Sequence, residues 1–274
     1  MELIHRTAVI DEGVSLASDV RVGPYAVISG PVRIGRGCFV SSHTVIMGPV
    51  VIGVRNTIGS GAVIGGYPQD LSFNPDVDST VEIGDDNVIR EHCTIHRGTK
   101  PASKTVVGSN CYLMAGAHLG HNTQVGNNVI LANNVLLGGY VEVGDGAFLG
   151  GGAVVHQHTR IGQLAMMQGM AGVGQDIPPF TTAAGINSVV GLNIVGLRRN
   201  GFDLAARSEV KRGFELLYRR GLKPSEAARQ AECESWSPTL LAFWKFVRAS
   251  KRGICPFRSW RAIKDESVEG SGET

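Results

Sequence analysis

Histidine is the residue type in this chain with the clearest potential for chemistry, because an imidazole gains and loses a proton near neutral pH. The 274-residue sequence contains eight histidines. Six of them fall in three short stretches, as His92 and His96, His118 and His121, and His156 and His158. A backbone that stacked these stretches would place five of the rings in one column, with His92 just before it. Such a column could supply a general base and bind an anionic or polyhydroxyl substrate, or three of its rings could bind zinc.

A six-residue period predicts the backbone that stacks them. Every sixth residue from Ile10 to Val173 is Ile, Leu, Val or Met, apart from two polar, proline-bearing insertions at residues 68–80 and 99–104. A slim Ala, Cys or Thr often stands four residues after the aliphatic one. This period is typical of a hexapeptide β-helix, in which each unit forms one short face and sends one large apolar side chain to the axis. A β-sandwich or barrel with tight turns is the alternative, but it gives no reason for strict six-residue spacing.

The stacking follows if three hexads make one turn, so that residues 18 apart lie above one another. With the two insertions removed from the count, one face consists of the hexads that begin at Ala62, Cys93, Ala117, Val135 and Ala153. Both insertions leave this face at the same corner. His96 and His121 lie on this face at positions that do not point to the axis, so we expect them to face outward into one cleft.

The C-terminal part has a different period and a different charge. Apolar residues recur there at three- and four-residue spacing, which predicts helices over residues 204–220, 224–233 and 238–252. Residues 191–264 contain 16 Lys or Arg against 6 Asp or Glu, a net charge of about +10. We therefore predict a hexapeptide-repeat β-helix domain over 1–190 and a basic α-helical domain over 191–274. The basic surface favours an acidic protein partner over a nucleic acid, because no aromatic platform or nucleic-acid motif accompanies it.

Composition excludes several other classes of protein. No apolar run approaches the roughly 20 residues of a transmembrane helix, and no N-terminal signal pattern is evident. These observations predict a cytoplasmic protein without a transmembrane segment. The five cysteines are scattered and form no CxxC pair, which argues against a disulfide framework and against a Cys-based metal site.

Several stretches outside the repeat consensus resemble the UDP-N-acetylglucosamine O-acyltransferases of lipid A biosynthesis, a family of hexapeptide-repeat acyltransferases. They are YPQDL (67–71), TIHRGT (94–99), AHLGHN (117–122), ILANN (130–134), VHQH (155–158), QDIPPF (175–180) and GLNIVGLRRNGF (191–202). The resemblance covers nearly the whole chain. It implies a left-handed parallel β-helix, the rare hand of crossover, and a homotrimer with active sites between neighbouring subunits. It also implies transfer of a 3-hydroxyacyl group from acyl carrier protein to the 3-hydroxyl of the UDP-sugar, without a metal or dissociable cofactor.

The resemblance assigns roles to individual residues of this sequence. His121 would be the general base, and the backbone N–H of Gly139 would stabilise the thioester oxyanion. Gly169 matches the position that limits acyl length, and a glycine there leaves room for a long chain. Asn193 and Arg199 would bind the nucleotide diphosphate, where a guanidinium suits phosphate. The other implied substrate contacts are Gln69, Asp70, Ser72, His96, His118, His156 and Gln157.

Four residues depart from the family pattern. Asn122 follows the proposed base where an Asp is usual, Ser72 replaces a Lys, Tyr140 replaces a His and Val195 replaces a Glu. These departures leave room for an acyltransferase that uses another nucleotide sugar, such as a 3-amino analogue, or for a non-enzymatic binding paralogue. A zinc-dependent protein like the hexapeptide-repeat carbonic anhydrases is a further alternative, although the histidine pair of that family is spaced five residues apart rather than three.

Overall fold

The strands of this protein wind into a left-handed parallel β-helix, followed by a helical C-terminal region, as the fold-class prediction stated. The structure is a computed structural model and describes residues 3–262. Three flat faces run along the coil, and consecutive strands pass from face 1 to face 2 to face 3 until the last turn, which has no strand on face 2.

Each face is a sheet of short parallel strands. Face 1 contains β1 (Val9–Ile10), β4 (Val27–Ser29), β7 (Val45–Met47), β10 (Val63–Gly66), β13 (Thr94–His96), β16 (His118–Leu119), β19 (Leu136–Leu137), β22 (Val154–Val155) and β25 (Gly172–Val173). Face 2 contains β2 (Val14–Leu16), β5 (Val32–Ile34), β8 (Val50–Ile52), β11 (Thr80–Ile83), β14 (Lys104–Val107), β17 (Gln124–Val125), β20 (Glu142–Val143) and β23 (Arg160–Ile161).

Face 3 differs from the other two in ending on an antiparallel pair. It contains β3 (Arg21–Val22), β6 (Phe39–Val40), β9 (Thr57–Ile58), β12 (Val88–Ile89), β15 (Tyr112–Leu113), β18 (Ile130–Leu131), β21 (Phe148–Leu149), β24 (Met166–Met167), β26 (Thr181–Ala183) and β27 (Val189–Leu192). Strand β27 runs antiparallel to β26. It therefore ends the coil and redirects the chain toward the helices.

The periodic aliphatic side chains fill the axis of the coil, as predicted. Of the 25 periodic aliphatic positions, 23 are buried, and only Ile10 and Leu16 at the N-terminal end are partly buried. The slim positions between them are buried as well. Stacking also follows the prediction, because His118 pairs in register with Thr94 on one side and with Leu136 on the other. The six-residue period therefore gives both the core and the column of outward residues.

Two asparagines occupy slim interior positions and form a ladder inside the coil. Asn56 and Asn87 are fully buried. The Asn87 amide donates to the Gly108 carbonyl at 2.9 Å and accepts from the backbone N–H of Cys111 at 2.7 Å. The backbone N–H of Asn87 in turn donates to Asn56 Oδ1 at 2.9 Å. The ladder therefore fixes the register of successive coils by hydrogen bonds rather than by apolar packing.

The two insertions leave the coil at the same corner, between face 1 and face 2, as predicted. Loop 1 connects β10 to β11 over residues 67–79, and loop 2 connects β13 to β14 over residues 97–103. The predicted loop ends were one residue too long, because Thr80 and Lys104 each begin a strand. These residues extend the ladder of face 2, where a β pairing partner is available.

The C-terminal region contains α1 (Ile194–Arg199), α2 (Leu204–Tyr218), α3 (Pro224–Ala231) and α4 (Pro238–Arg248). Three of these were predicted, with C-terminal ends two to four residues too long, and α1 was missed. Asp203 caps α2 by accepting from the Ala206 N–H at 2.8 Å. Gly221 has a φ of +69° just beyond α2 and turns the chain there.

No helix described within residues 3–262 is long and apolar enough to cross a membrane.

The helices pack directly on the upper coils. Asp176 is fully buried and accepts hydrogen bonds from Arg160 Nη2 at 2.7 Å and from Ser250 Oγ at 2.8 Å. The segment after α4 also forms a β-bridge between Val189 and Phe257. Because these contacts link the two parts of the chain, the division into residues 1–190 and 191–274 stays a prediction about folding units.

Candidate active site

A cleft of about 360 Å³ lies beside the corner between face 1 and face 2. It is bounded by loop 1 at one end and by the upper coils at the other. Seven of the residues predicted for the site line it, namely Gln69, His96, His118, His121, Gly139, His156 and Gln157. The structure therefore places His96 and His121 in one cleft, as the stacking predicts.

The His121 ring is held by its neighbour along the chain. His121 Nδ1 lies 3.0 Å from Asn122 Oδ1. The same oxygen accepts from the backbone N–H of Thr99 at 3.0 Å, and because a backbone N–H can only donate, this contact identifies the atom as the amide oxygen. Nδ1 must then carry the proton. The other ring nitrogen, Nε2, is left as an unprotonated acceptor, which is the form that a general base requires.

Gly139 lies one coil above His121 and against its ring. A Cβ atom at this position would come within 2.4 Å of His121 Cε1 and 2.5 Å of Nε2, so no other residue fits without moving the ring. Gly139 is buried, yet its backbone N–H has no acceptor among the described residues. A buried donor without a partner calls for an explanation. A developing oxyanion beside Nε2 would provide one.

His96 and His118 form the lower wall of the cleft. Their rings meet edge to face with centroids 4.9 Å apart, and His118 Nδ1 lies 2.7 Å from Thr94 Oγ1. Burial, followed by the charges of His118 and His121, lowers the pKa of His96 to about 4. Burial also lowers the pKa of His118. Both rings are therefore neutral at neutral pH and can donate or accept hydrogen bonds without adding charge.

His96 is more enclosed than the sequence indicated. It lies on the outside of the coil as expected, but only 8% of its surface is exposed. Its ring packs close to Gly66, where the chain leaves face 1 for loop 1. His96 therefore faces outward into the cleft as predicted, but Gly66 and the His118 ring enclose it.

Loop 1 carries Asp70 and Ser72 beside this cleft. Ser72 donates its hydroxyl to Asp70 Oδ1 at 2.7 Å and its backbone N–H to the same atom at 2.9 Å. These hydrogen bonds lower the pKa of Asp70, and the charge of His121 lowers it further. Asp70 is therefore an anion, and Ser72, one of the four departures from the family pattern, orients it.

Arg97 is a residue of this site that the sequence interpretation missed. Its guanidinium donates to the backbone carbonyls of Val77 at 3.1 Å and Pro75 at 2.5 Å, and it stacks on the rings of Tyr67 and Phe73. Arg97 is almost fully buried. It therefore holds loop 1 in place from the start of loop 2. The only sequence signal was its place inside the TIHRGT stretch, directly after His96.

The upper end of the cleft receives a second basic residue that was not predicted. Arg252, after α4, donates to His156 Nδ1 at 3.1 Å and to the Gly174 carbonyl at 3.0 Å. His156 and Gln157 are exposed beside it. The C-terminal region therefore reaches the histidine column directly.

Three predicted residues lie elsewhere in the structure. Asn193 is the N-cap of α1, and its amide accepts from the Gly196 N–H and donates to the Leu164 carbonyl, both at 2.9 Å. Arg199 is exposed in the last turn of the same helix. Gly169 lies between β24 and β25, at the corner of face 3 and face 1. Within one copy of the chain, none of the three lines the histidine cleft.

The outer surface of face 1 is apolar next to the cleft. Leu136 and Val154 line the cleft and remain exposed, and Met170 and Ile186 are exposed close to the same face. These side chains form a strip from the Gly139 corner toward the corner that carries Gly169. Such a strip suits an alkyl chain or a second copy of the protein.

The donor set does not form a metal centre. Among residues 3–262, no group of three or more His, Cys, Asp or Glu side chains is arranged to hold a metal ion. The His96 and His118 rings meet edge to face instead of converging on one point. The arrangement therefore favours proton transfer over zinc chemistry.

Comparisons with known proteins agree with this geometry. Residues 176–255 match the family model described as UDP N-acetylglucosamine O-acyltransferase, domain 2, and residues 104–139 match the bacterial transferase hexapeptide model. A relative from Thermodesulfovibrio yellowstonii, named acyl-[acyl-carrier-protein]–UDP-N-acetylglucosamine O-acyltransferase, is 41% identical over 258 residues, covering 93% of this chain and 100% of that protein.

Solved structures show the same relationship. LpxA from Acinetobacter baumannii has 36% identity and a TM-score of 0.89, covering 92% of this chain and 99% of that one. The UDP-N-acetylglucosamine acyltransferase of Francisella novicida has 35% identity and a TM-score of 0.88, covering 94% and 95%. With a β-helix, a histidine cleft and relatives that match along almost its whole length, the chain belongs to the UDP-N-acetylglucosamine O-acyltransferase family.

Proposed function

We propose that this protein transfers a 3-hydroxyacyl group from acyl carrier protein to the 3-hydroxyl of UDP-N-acetylglucosamine, the first step of lipid A biosynthesis. Family membership supports the reaction class. The observation that carries the proposal is the pairing of His121 and Gly139. The imidazole Nε2 has no hydrogen-bond partner among the described residues, and it lies against Gly139, whose buried backbone N–H also lacks an acceptor there. Acyl transfer needs a base and an oxyanion donor at such a point.

The proposed chemistry uses only groups of this chain and the two substrates. His121 Nε2 takes the proton of the sugar hydroxyl while the hydroxyl oxygen attacks the thioester carbonyl. The backbone N–H of Gly139 hydrogen-bonds to the oxygen that becomes negative. The intermediate then collapses, the C–S bond breaks, and the carrier thiolate takes the proton from the imidazolium. His121 is thereby returned to its starting form with Nδ1 still hydrogen-bonded to Asn122.

The remaining site residues would bind the substrates. We assign the glucosamine portion to Asp70, Ser72, Gln69 and His118, with His96 below them, because loop 1 and β16 enclose that end of the cleft. His156 and Gln157 would contact substrate at the other end. The acyl chain would run along the apolar strip of face 1 toward Gly169. A Cβ at Gly169 would lie 3.2 Å from the Gly151 carbonyl oxygen, so a side chain there would narrow the far end of the groove.

We further propose that the active unit is a homotrimer in the cytoplasm, where a carrier thioester and a nucleotide sugar are both present. Asn193 and Arg199 lie at another corner of the coil from His121, so they could reach the same UDP-sugar only from a neighbouring copy. Light scattering should give the mass of three chains. Mixed refolding of the His121→Ala and Arg199→Ala variants should restore part of the activity, and a monomeric active enzyme would contradict the shared site.

The direct test is a product assay. The purified protein is incubated with UDP-N-acetylglucosamine and with 3-hydroxyacyl carrier proteins of several chain lengths, and mass spectrometry detects the acylated sugar. The 3-amino analogue of the UDP-sugar is the parallel acceptor. We expect an ester product with UDP-N-acetylglucosamine. An amide product alone would show that the acceptor is the 3-amino sugar. The absence of any product with every donor would refute acyl transfer.

A further inference from the structure

The residue after the proposed base raises a chemical question that a carboxylate would not raise. Either oxygen of an Asp accepts a hydrogen bond, whereas only one end of an Asn amide does. If the Asn122 amide were reversed, its NH₂ group would face His121 Nδ1. The proton would then have to sit on Nε2, and the ring would offer no base to the cleft. Something in this protein must therefore keep the oxygen facing the ring.

Thr99 keeps the amide in this orientation. Its backbone N–H and its hydroxyl both reach Asn122 Oδ1, each at 3.0 Å. Both groups donate to this oxygen, and because a backbone N–H can only donate, a reversed amide would place its NH₂ group against the Thr99 N–H. Asn122 is itself 7% exposed, which limits rescue of a reversed amide by water. Loop 2 therefore reaches over the corner to determine which end of Asn122 meets the base.

Tyr140 completes the connection from the next coil. Its hydroxyl lies 3.0 Å from Thr99 Oγ1. Since the single hydroxyl proton of Thr99 is donated to Asn122, Tyr140 must be the donor in this contact. The Tyr140 ring is held by stacking on His158, with centroids 4.7 Å apart, and by an edge contact with His121 at 5.2 Å. The hydrogen bonds thus run in one direction, from Tyr140 through Thr99 to Asn122.

We propose that Thr99 and Tyr140 are positioning residues that set the tautomer of His121 by orienting the Asn122 amide. Asn122 and Tyr140, two of the four departures from the family pattern, then belong to one hydrogen-bond chain that Thr99 connects. The inference rests on the proposed function, because it concerns the base of that reaction. Neither Thr99 nor Tyr140 touches the reacting atoms in this scheme.

The tautomer can be measured without any substrate. Nitrogen-15 NMR of the His121 ring, in alkaline buffer where the ring is neutral, distinguishes Nδ1–H from Nε2–H. We expect the wild type to be mainly Nδ1–H and the Thr99→Val and Tyr140→Phe variants to contain more Nε2–H. A wild-type ring that is mainly Nε2–H would overturn the inference even if acyl transfer is observed. A failure of acyl transfer with an Nδ1–H ring would instead count against the proposed function.

Kinetics provide the second readout. Thr99→Val and Tyr140→Phe should each lower kcat about fivefold, the effect of one hydrogen bond of ordinary strength, with KM for both substrates unchanged. Thr99→Ser keeps the hydroxyl and should restore most of kcat. The matched control is Ser103→Ala, which removes hydrogen bonds to Lys100 inside the same loop but none to Asn122. Equal losses of kcat in Ser103→Ala and Thr99→Val would show a general effect on loop 2 and would contradict the proposal.

A double-mutant cycle separates positioning from structure. In the Asn122→Asp background either carboxylate oxygen can accept from Nδ1, so amide orientation no longer matters. Thr99→Val should then lower kcat less than about twofold, below the value of an ordinary hydrogen bond. A loss that is the same in both backgrounds would show that Thr99 serves only the fold of loop 2.

Discussion

At the scale of single residues, His121 carries the most direct prediction. Replacing His121 with Ala removes the proton acceptor from the cleft but leaves the oxyanion donor of Gly139 in place. We expect kcat to fall by about 10²- to 10⁴-fold, the usual contribution of a positioned general base. KM for the UDP-sugar should change much less, since other residues of the cleft would still bind it. Steady-state kinetics with both substrates measure the two effects separately.

The control for this prediction is another histidine on the outside of the coil. His43 is exposed and stacks on Tyr25, two coils below the corner where the cleft begins. The His43→Ala variant should retain wild-type kcat. If His121→Ala were as active as His43→Ala, the base would have to be sought elsewhere in the cleft.

His96 gives a prediction about pH and stability. Because its pKa is lowered from 6.5 to about 4, the unfolded chain binds a proton between these values that the folded protein does not. The stability associated with this ring is therefore complete above about pH 6.5 and is lost as the pH falls toward 4. A pKa difference of this size corresponds to roughly 3 kcal/mol.

The measurement compares unfolding at two pH values. Urea titration gives the free energy of unfolding at pH 7 and at pH 4.5, at one protein concentration. We expect the loss between the two to be smaller by about 2 kcal/mol in His96→Gln than in the wild type. His43→Gln, at an exposed histidine, serves as the control substitution. An unchanged acid loss in His96→Gln would mean that the ring is not buried as described.

At the scale of structural elements, loop 1 depends on Arg97. The Arg97→Met variant keeps the length of the side chain but loses the hydrogen bonds to Pro75 and Val77 and the charge above Tyr67 and Phe73. We expect KM for the UDP-sugar to rise about tenfold, because roughly 1.4 kcal/mol of loop positioning would be lost. Amide hydrogen exchange over residues 67–79 should become faster.

Arg90 offers a matched comparison for this loop. It is exposed on face 3, where it binds Glu91 and Tyr112 and has no contact with loop 1. Arg90→Met should leave both KM and the exchange of residues 67–79 unchanged. Equal exchange rates in Arg97→Met and the wild type would show that loop 1 is held by other contacts.

The coil could be predicted from sequence because its period reports a physical requirement. Each short face must send one bulky side chain to the axis, so the pattern survives insertions that only lengthen a corner. Removing 68–80 and 99–104 from the count was enough to place His96 and His121 on neighbouring coils of the same face. The register found between Thr94, His118 and Leu136 confirms that step.

Other features depend on contacts that no local pattern reveals. Asn56 and Asn87 look like breaks in the slim positions, and only the next coil shows that their amides pair with backbone groups. Helix α1 has six residues and includes a glycine, so its period is too short to detect. Sequence indicated where loop 1 leaves the coil but not that His96 packs against Gly66, just before the loop.

At the scale of the whole molecule, charge is divided between the two parts of the chain. Residues 191–264 carry a net charge of about +10, whereas the whole chain carries only +2, so the rest is acidic. On the helices, Arg212 and Arg248 are paired with acids. Lys245, also on a helix, and Arg220, just after α2, are exposed and form no salt bridge with another residue of 3–262. The helical region therefore presents a positive field. Such a field would attract the acidic carrier protein and speed its encounter with the enzyme.

Because of this positive field, salt should change KM for the carrier protein more than KM for the UDP-sugar. Raising sodium chloride from about 50 to 500 mM shortens the Debye length from roughly 14 to 4 Å. KM for the acyl carrier protein should then rise about tenfold, within the range of electrostatic steering, and KM for the UDP-sugar much less. Arg220→Glu should weaken the salt effect on the carrier, whereas Arg36→Glu, the same charge change at the other end of the coil, should not. An unchanged ratio of the two KM values across this range would rule out carrier docking on the basic helices.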